Sequence, residues 1–138
     1  MELQGLLNLN RWLYEAAHER FVAADAIYGA IGPDQEGAHD LPRAHALSQR
    51  HQGRALRGMG RLEESRGLLE AAVDFFAEQG EPYNQARALT DLAETLHDAG
   101  DNAEALTRIA AAERLLTPTA IPHLGYLAAL RLRCEVAR

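Results

Sequence analysis

Apolar residues recur along this chain at three- and four-residue intervals, the period of a helix with one buried face, and nowhere in the alternation of a strand. Leu6, Leu9, Leu13 and Ala16 mark one stripe and Phe21, Ala24, Tyr28 and Ile31 a second. The second stripe matches Leu62, Ser65, Leu69 and Ala72 at an offset of about 41 residues, which favours two helices that break near residue 18. Gly32-Pro33 ends this section, and residues 34–40 read as a polar loop. Asp40 followed by Pro42 predicts an N-cap and a first turn. Helices are then predicted over 42–59, 62–79, from Pro82 to a stop at Gly100, and from Asp101 to the break at Thr117-Pro118-Thr119. A seventh covers about 120–136, with Ile121, Leu124, Leu127, Leu130 and Cys134 on one face. Gly80 is expected to close its helix in a left-handed conformation, Asp101 and Glu104 to form a capping box, and Glu104 and Arg108 to pair across one turn.

The stretch from Arg50 to Leu116 states one pattern twice. With Gly60 aligned on Gly100, Leu56, Ser65, Leu69 and Ala72 fall on Leu96, Ala105, Ile109 and Ala112, an offset of 40 residues. Repetition at this period signals stacked supersecondary units in place of one globular core. Small residues (Gly53, Ala72, Ala93, Ala105, Ala112) stand where two helices of a hairpin approach closely, and Leu56, Leu69, Leu92, Leu96 and Ile109 fill the gaps between hairpins.

Composition narrows the function classes. The chain is 47% hydrophobic but only 6% aromatic, which suits helices packed on small residues. A net charge of −6 argues against generic binding to nucleic acid or to an anionic membrane. Its cations are all arginine. A single cysteine, Cys134, excludes an internal disulfide and a thiolate metal cluster, and points to a reducing, cytoplasmic compartment. Glu2, Arg11 and Glu15 do not fit a signal peptide, and no apolar run reaches the length of a membrane span.

The repeat, with its small–large alternation and a glycine between paired helices, resembles the tetratricopeptide repeat. The resemblance covers residues 46–118, is degenerate over 1–31, and leaves half a repeat at 120–138. It departs from the family pattern at Gln49, where a large apolar residue is common, and at Ser65, which replaces an alanine. The period also exceeds the standard 34 residues. With the junction from Phe76 to Leu89, this longer form looks like the repeats in sensory parts of large bacterial transcription activators and in adaptors. The expected fold is all-α, about seven helices as antiparallel hairpins in a short right-handed solenoid. It forms one domain, with repeats at 42–80 and 82–118, a degenerate repeat at 1–31 and a terminal half repeat at 120–138.

The resemblance implies that first helices line a concave groove. Arg50, Arg54 and Arg57 share one helix face, and Arg87, Thr90, Glu94, His97 and Asp98 are the matching positions one repeat later. Like charges one turn apart repel, so the stripe favours an anion. One reading is a clamp for a carboxylate- or phosphate-bearing peptide, with Glu94 and His97 as the far wall. The other is internal neutralisation of Arg54 and Arg57 by Glu94 and Asp98. Two Glu-x-x-His sequences, Glu15–His18 and Glu94–His97, allow a metal-dependent helical enzyme of the di-iron type, although a solenoid holds them a repeat apart. His39, His45 and His51 lack zinc-ligand spacing, and Ser48, Ser65 and Cys134 lack the setting of a nucleophile. Trp12, Tyr14 and Tyr126 suit ligand stacking or, more commonly, packing at the ends of the array.

Tyr126, Ala129, Leu132 and Val136 leave the last helix apolar on its outer side, where solenoids normally carry a polar cap. The expectation is a homodimer through Leu127, Leu132 and Val136, or else a chain cut from a longer array. The expected function is a non-enzymatic adaptor or regulatory module, without cofactor or metal, that binds a protein or peptide partner with acidic groups. The alternatives are a small-molecule sensor with its ligand between the solenoid and the 32–42 loop, and the metal-dependent enzyme.

Overall fold

A computed structural model describes residues 13–16, 18–20, 22, 23, 26, 41–116 and 120–137. The helices with described bounds are α1 (Leu41–Gly58), α2 (Leu62–Glu78), α3 (Pro82–Asp98), α4 (Asn102–Leu115) and α5 (Ile121–Ala137). The described residues between 13 and 26 are helical as well, and no strand occurs among the described residues. The bounds from α1 onward agree with the periodicity to within about two residues. The positions Leu6, Leu9, Phe21, Ala24, Tyr28 and Ile31, Trp12, the loop with His39 and the Asp40 cap, and Thr117-Pro118-Thr119 lie outside the described residues. The expected break near residue 18 borders Ala17, which lies outside them too.

Three hairpin corners are built alike. Gly60, Gly80 and Gly100 take φ of +80°, +66° and +83°, a conformation that costs a residue with a Cβ. At each corner the amide that follows the glycine reaches back five residues: Arg61 N to Leu56 O, Glu81 N to Phe76 O and Asp101 N to Leu96 O, at 2.9–3.0 Å. This is the Schellman closure, which satisfies carbonyls left over at a helix end. Pro82 starts α3, where a missing N–H costs nothing. Asp101 caps α4 by accepting from Glu104 N, whereas Glu104 pairs with Arg108 at 3.0 Å, so the reciprocal arm of the capping box is given up for the ion pair.

Consecutive helices pack on each other from α1 to α5, and α3 also touches α1 and α5. The hairpins α1/α2 and α3/α4 therefore stack, with α5 opening a third; α1, α3 and α5 form one layer and α2 and α4 the other. Leu56, Leu69, Phe76, Leu92, Leu96, Ile109, Leu127 and Leu130 are fully buried between them, each contributing about 1.5–3 kcal/mol of transfer free energy. The small residues do what their size predicts: a Cβ on Gly53 would stand 2.6 Å from Leu69 Cγ, so glycine sets the α1–α2 spacing. Ile121, expected inward, is exposed because α5 is covered on one side alone, through Leu127, Leu130 and Cys134. Leu127, expected at a dimer interface, is part of the chain's own core and presents nothing to a second copy, while Leu132 and Val136 are 61% and 78% exposed.

Candidate functional site

The inner layer brings α1, α3 and α5 side by side, and their facing side chains enclose an open cavity of about 340 Å³. Arg50, Arg54, Arg87, Thr90 and Glu94 all line it, joined by Asp91, Tyr83, His123 and Tyr126. His97 does not; it sits behind α3, with Nδ1 against Asn102 Oδ1, beside Leu132, Arg133 and Val136. Arg57 and Asp98 lie at the other end, in a second cavity of about 480 Å³ that also holds Tyr14 and His51. Arg54 lines both cavities and is the residue they share.

Within the groove the four arginines differ. Arg50 is buried and its Nε donates to Asp91 Oδ2 at 2.6 Å. Arg57 is held twice, Nη1 to Glu94 Oε2 and Nε to Asp98 Oδ2, both at 2.7 Å. Internal neutralisation is thus real for Arg57, and Asp91 adds a pairing that spacing alone did not suggest. Arg54 is 55% exposed, and its carboxylate partner among the described residues is Asp91 Oδ1, at 3.8 Å, a group already bonded to Arg50. Arg87 has no carboxylate partner among the described residues; its guanidinium lies 5.8 Å from the Tyr83 ring centroid. Two arginines, Arg50 and Arg54, therefore share one buried carboxylate.

Ionisation follows this imbalance. Burial lowers the Arg50 pKa, and the attraction of Asp91 does not restore it. Burial likewise raises the Asp91 carboxyl against the pull of Arg50 and Arg54. Both partners agree that desolvation outweighs pairing. Arg57 differs: burial works against its charge, but the bond from Asp98 and the charge of Glu94 win and raise its pKa. Burial and then Arg87 and Arg50 lower His123; burial and then Arg50, Arg54 and Arg87 lower His51. The arginine field reaches both ends of the groove.

The rest of the wall is fixed by hydrogen bonds. Tyr126 Oη donates to Glu94 Oε1 at 2.7 Å. Thr90 Oγ1 donates to Ala86 O and lies 3.0 Å from His123 Nε2, which assigns the ring proton to Nε2. Each Glu94 oxygen thereby accepts one hydrogen bond, from Arg57 and from Tyr126. Glu15 and His18 stand with Met59 and Arg61 at the end of α1. The two Glu-x-x-His pairs are not brought together, and among the described residues no group of three acidic, histidine or cysteine side chains is placed to hold a metal. Tyr14 packs against Gly58, where a Cβ would lie 2.4 Å from its ring. The groove residues missing from the sequence reading, Tyr83, Asp91 and His123, had one available signal: Tyr83, Arg87 and Asp91 recur every four residues on one face of α3.

No described helix is long and apolar enough to cross a membrane. Neither the comparison with curated proteins nor that with solved structures gave a match. The family model described as "Tetratricopeptide repeat" matches residues 43–117, more than half of the chain and nearly all of α1 to α4 with their three corners. The chain belongs to the tetratricopeptide repeat family.

Proposed function

We propose that this chain is a non-catalytic adaptor or regulatory module that binds an acidic peptide segment of a partner protein in the groove between α1, α3 and α5. Tetratricopeptide repeats generally mediate protein–protein interaction. The observation that carries the reading is the division among the arginines. Arg50 and Arg57 are consumed by internal bonds, whereas Arg54 faces the cavity sharing Asp91 with Arg50, and Arg87 faces it with no carboxylate partner among the described residues. Guanidinium donors suit a carboxylate or phosphate, which would gain two charge-assisted contacts there. Long-period repeats of this kind resemble those of bacterial regulators, and a regulatory setting fits the reading. The test is fluorescence anisotropy of labelled acidic peptides against wild type, Arg54→Glu and Arg87→Glu. Reversal of either charge is expected to abolish binding at unchanged helical circular dichroism; binding that survives both reversals overturns the clamp.

A second surface supports homodimerisation. Leu132 is exposed, and seven residues before it on the same face Gly125 has open space where a Cβ would be. Two α5 helices crossing antiparallel about Ala128 and Ala129 would set each Leu132 over the other copy's Gly125, as Leu69 sits over Gly53 inside the chain. Light scattering after size exclusion tests this: a dimer that Leu132→Glu converts to a folded monomer is expected, and a wild-type monomer refutes it.

A further inference from the structure

Arg54 and Arg87 share their cavity with a strip of aromatic rings. Tyr83 and Tyr126 are 53% and 44% exposed. His123 lies between them, its ring centroid 6.5 Å from that of Tyr83 and 6.4 Å from that of Tyr126, and nearly parallel to Tyr126 with an interplanar angle of 28°. Hydrogen bonds tie two of these rings by their polar edges, Tyr126 to Glu94 and His123 to Thr90. Ring surface is therefore presented in a fixed position, without the entropy cost of ordering it on binding. Arg87 belongs to both features, since it lines the cavity beside Arg54 and lies over Tyr83. A purely acidic ligand would use the guanidinium groups and leave the strip wet.

We infer that the groove recognises an acidic residue directly next to an aromatic one, the carboxylate between Arg54 and Arg87 and the ring on the Tyr83–His123–Tyr126 strip. This rests on the reading of the groove as an acidic-peptide site and specifies its ligand. The volume of about 340 Å³ suits one such pair of side chains, at the small end of ligand pockets. The ligand is an internal segment, not a chain end. Arg54 lines the second cavity as well, which offers a chain that continues past the anion position a further surface at Arg57 and Tyr14. Burial and then Arg87 and Arg50 lower the His123 pKa, which favours the neutral ring that stacks without adding charge.

The experiment uses fluorescence anisotropy on the full chain with acetylated, amidated peptides that hold Glu-Phe, Glu-Leu, Glu-Ala or Gln-Phe within a Gly-Ser sequence. Glu-Phe is expected to bind about tenfold tighter than Glu-Ala, Glu-Leu in between, and Gln-Phe most weakly. In Tyr126→Leu and Tyr83→Leu, which alter exposed positions, the advantage of Phe over Leu should vanish while the Glu-over-Gln preference remains. Equal binding of Glu-Phe and Glu-Ala, both lost in Arg54→Glu, overturns this inference and leaves the acidic groove standing. Tight binding of Gln-Phe that is insensitive to Arg54→Glu, or binding of none of the capped peptides, overturns both.

Discussion

The two junctions between successive first helices, α1/α3 and α3/α5, fill corresponding buried positions of the repeat with different chemistry. At the first, Gly53, Ser65 and Thr95 meet: Ser65 Oγ donates to Gly53 O at 2.7 Å and lies 3.0 Å from Thr95 Oγ1. The corresponding positions at the second, 39 or 40 residues on, are Ala93, Ala105 and Cys134, all fully buried. Arg50 bonded to Asp91 becomes Thr90 beside Leu130, and Arg57 with its two carboxylates becomes His97. The apolar version shows that the fold asks for small shapes at these points and not for polarity. What the polar version adds is a register: hydroxyl and guanidinium groups buried in α1 and α2 find partners only when α3 stands at one height, because an unpaired polar group there is costly. It also leaves positive charge over, which the apolar junction cannot do.

The largest expected effect breaks the first junction at its centre. Asp91→Ala leaves the Arg50 guanidinium buried and unpaired, a loss of about 3–5 kcal/mol. The double variant Arg50→Met with Asp91→Leu copies the apolar character of the second junction and should recover most of that, since desolvation exceeds attraction in this pair. Urea denaturation of the three proteins measures both. A double variant as unstable as Asp91→Ala would mean that the ion pair is needed for stability and not for register.

Three smaller substitutions sharpen the same contrast. Gly53→Ala drives a methyl into Leu69 at 2.6 Å, and the repacking cost, about 1–3 kcal/mol, exceeds the gain in helix propensity. Gly67→Ala, on the exposed side of α2 with nothing within 4 Å of the new Cβ, should instead stabilise by about 0.4–1 kcal/mol. Opposite signs for one chemical change separate close approach from backbone entropy. Ser65→Ala installs the residue found at Ala105 and removes a buried donor, for a loss of about 1 kcal/mol. Thermal melts resolve all three, and a neutral Ser65→Ala would show that the polar node contributes nothing to stability.

Periodicity made α1 to α5 legible because a repeat states each helix twice, and a glycine at Gly60, Gly80 and Gly100 can close a helix in few ways. Ser65 was legible as a departure from alanine, but its partners were not: Gly53 O is a backbone atom and Thr95 is 30 residues away in sequence. The same holds at the groove. Spacing put Arg50, Arg54 and Arg57 on one face, yet which of them is consumed depends on the height of α3 against α1, and that height brings Asp91 to Arg50 and Glu94 with Asp98 to Arg57. His97 faced the groove by simple register and leaves it because its ring is drawn to Asn102. Leu127 was assigned outward and inward at once; burial decides, and α4 and α3 cover it.

The smallest effect tests whether the arginine field crosses from the first junction to the second. His123 belongs to α5, but its pKa is lowered by burial and then by Arg87 and Arg50, with only Glu94 opposing. The unfolded chain titrates this ring near the ordinary value of about 6.5 and so binds the proton more readily than the folded one. Stability should therefore fall as pH drops through that value, and the fall should be shallower in His123→Gln. Asp91 has the opposite sign, since its folded carboxyl holds a proton more readily than the unfolded one, but it acts lower, in the carboxylate range, and does not mask the histidine window. Arg87→Gln removes the larger of the two arginine contributions while keeping the ring, so it should partly flatten the profile of urea midpoint against pH between about 7.5 and 5.5. If Arg87→Gln leaves the slope of wild type intact while His123→Gln removes it, burial alone sets the histidine, and the charge left over at the first junction stops short of the aromatic strip.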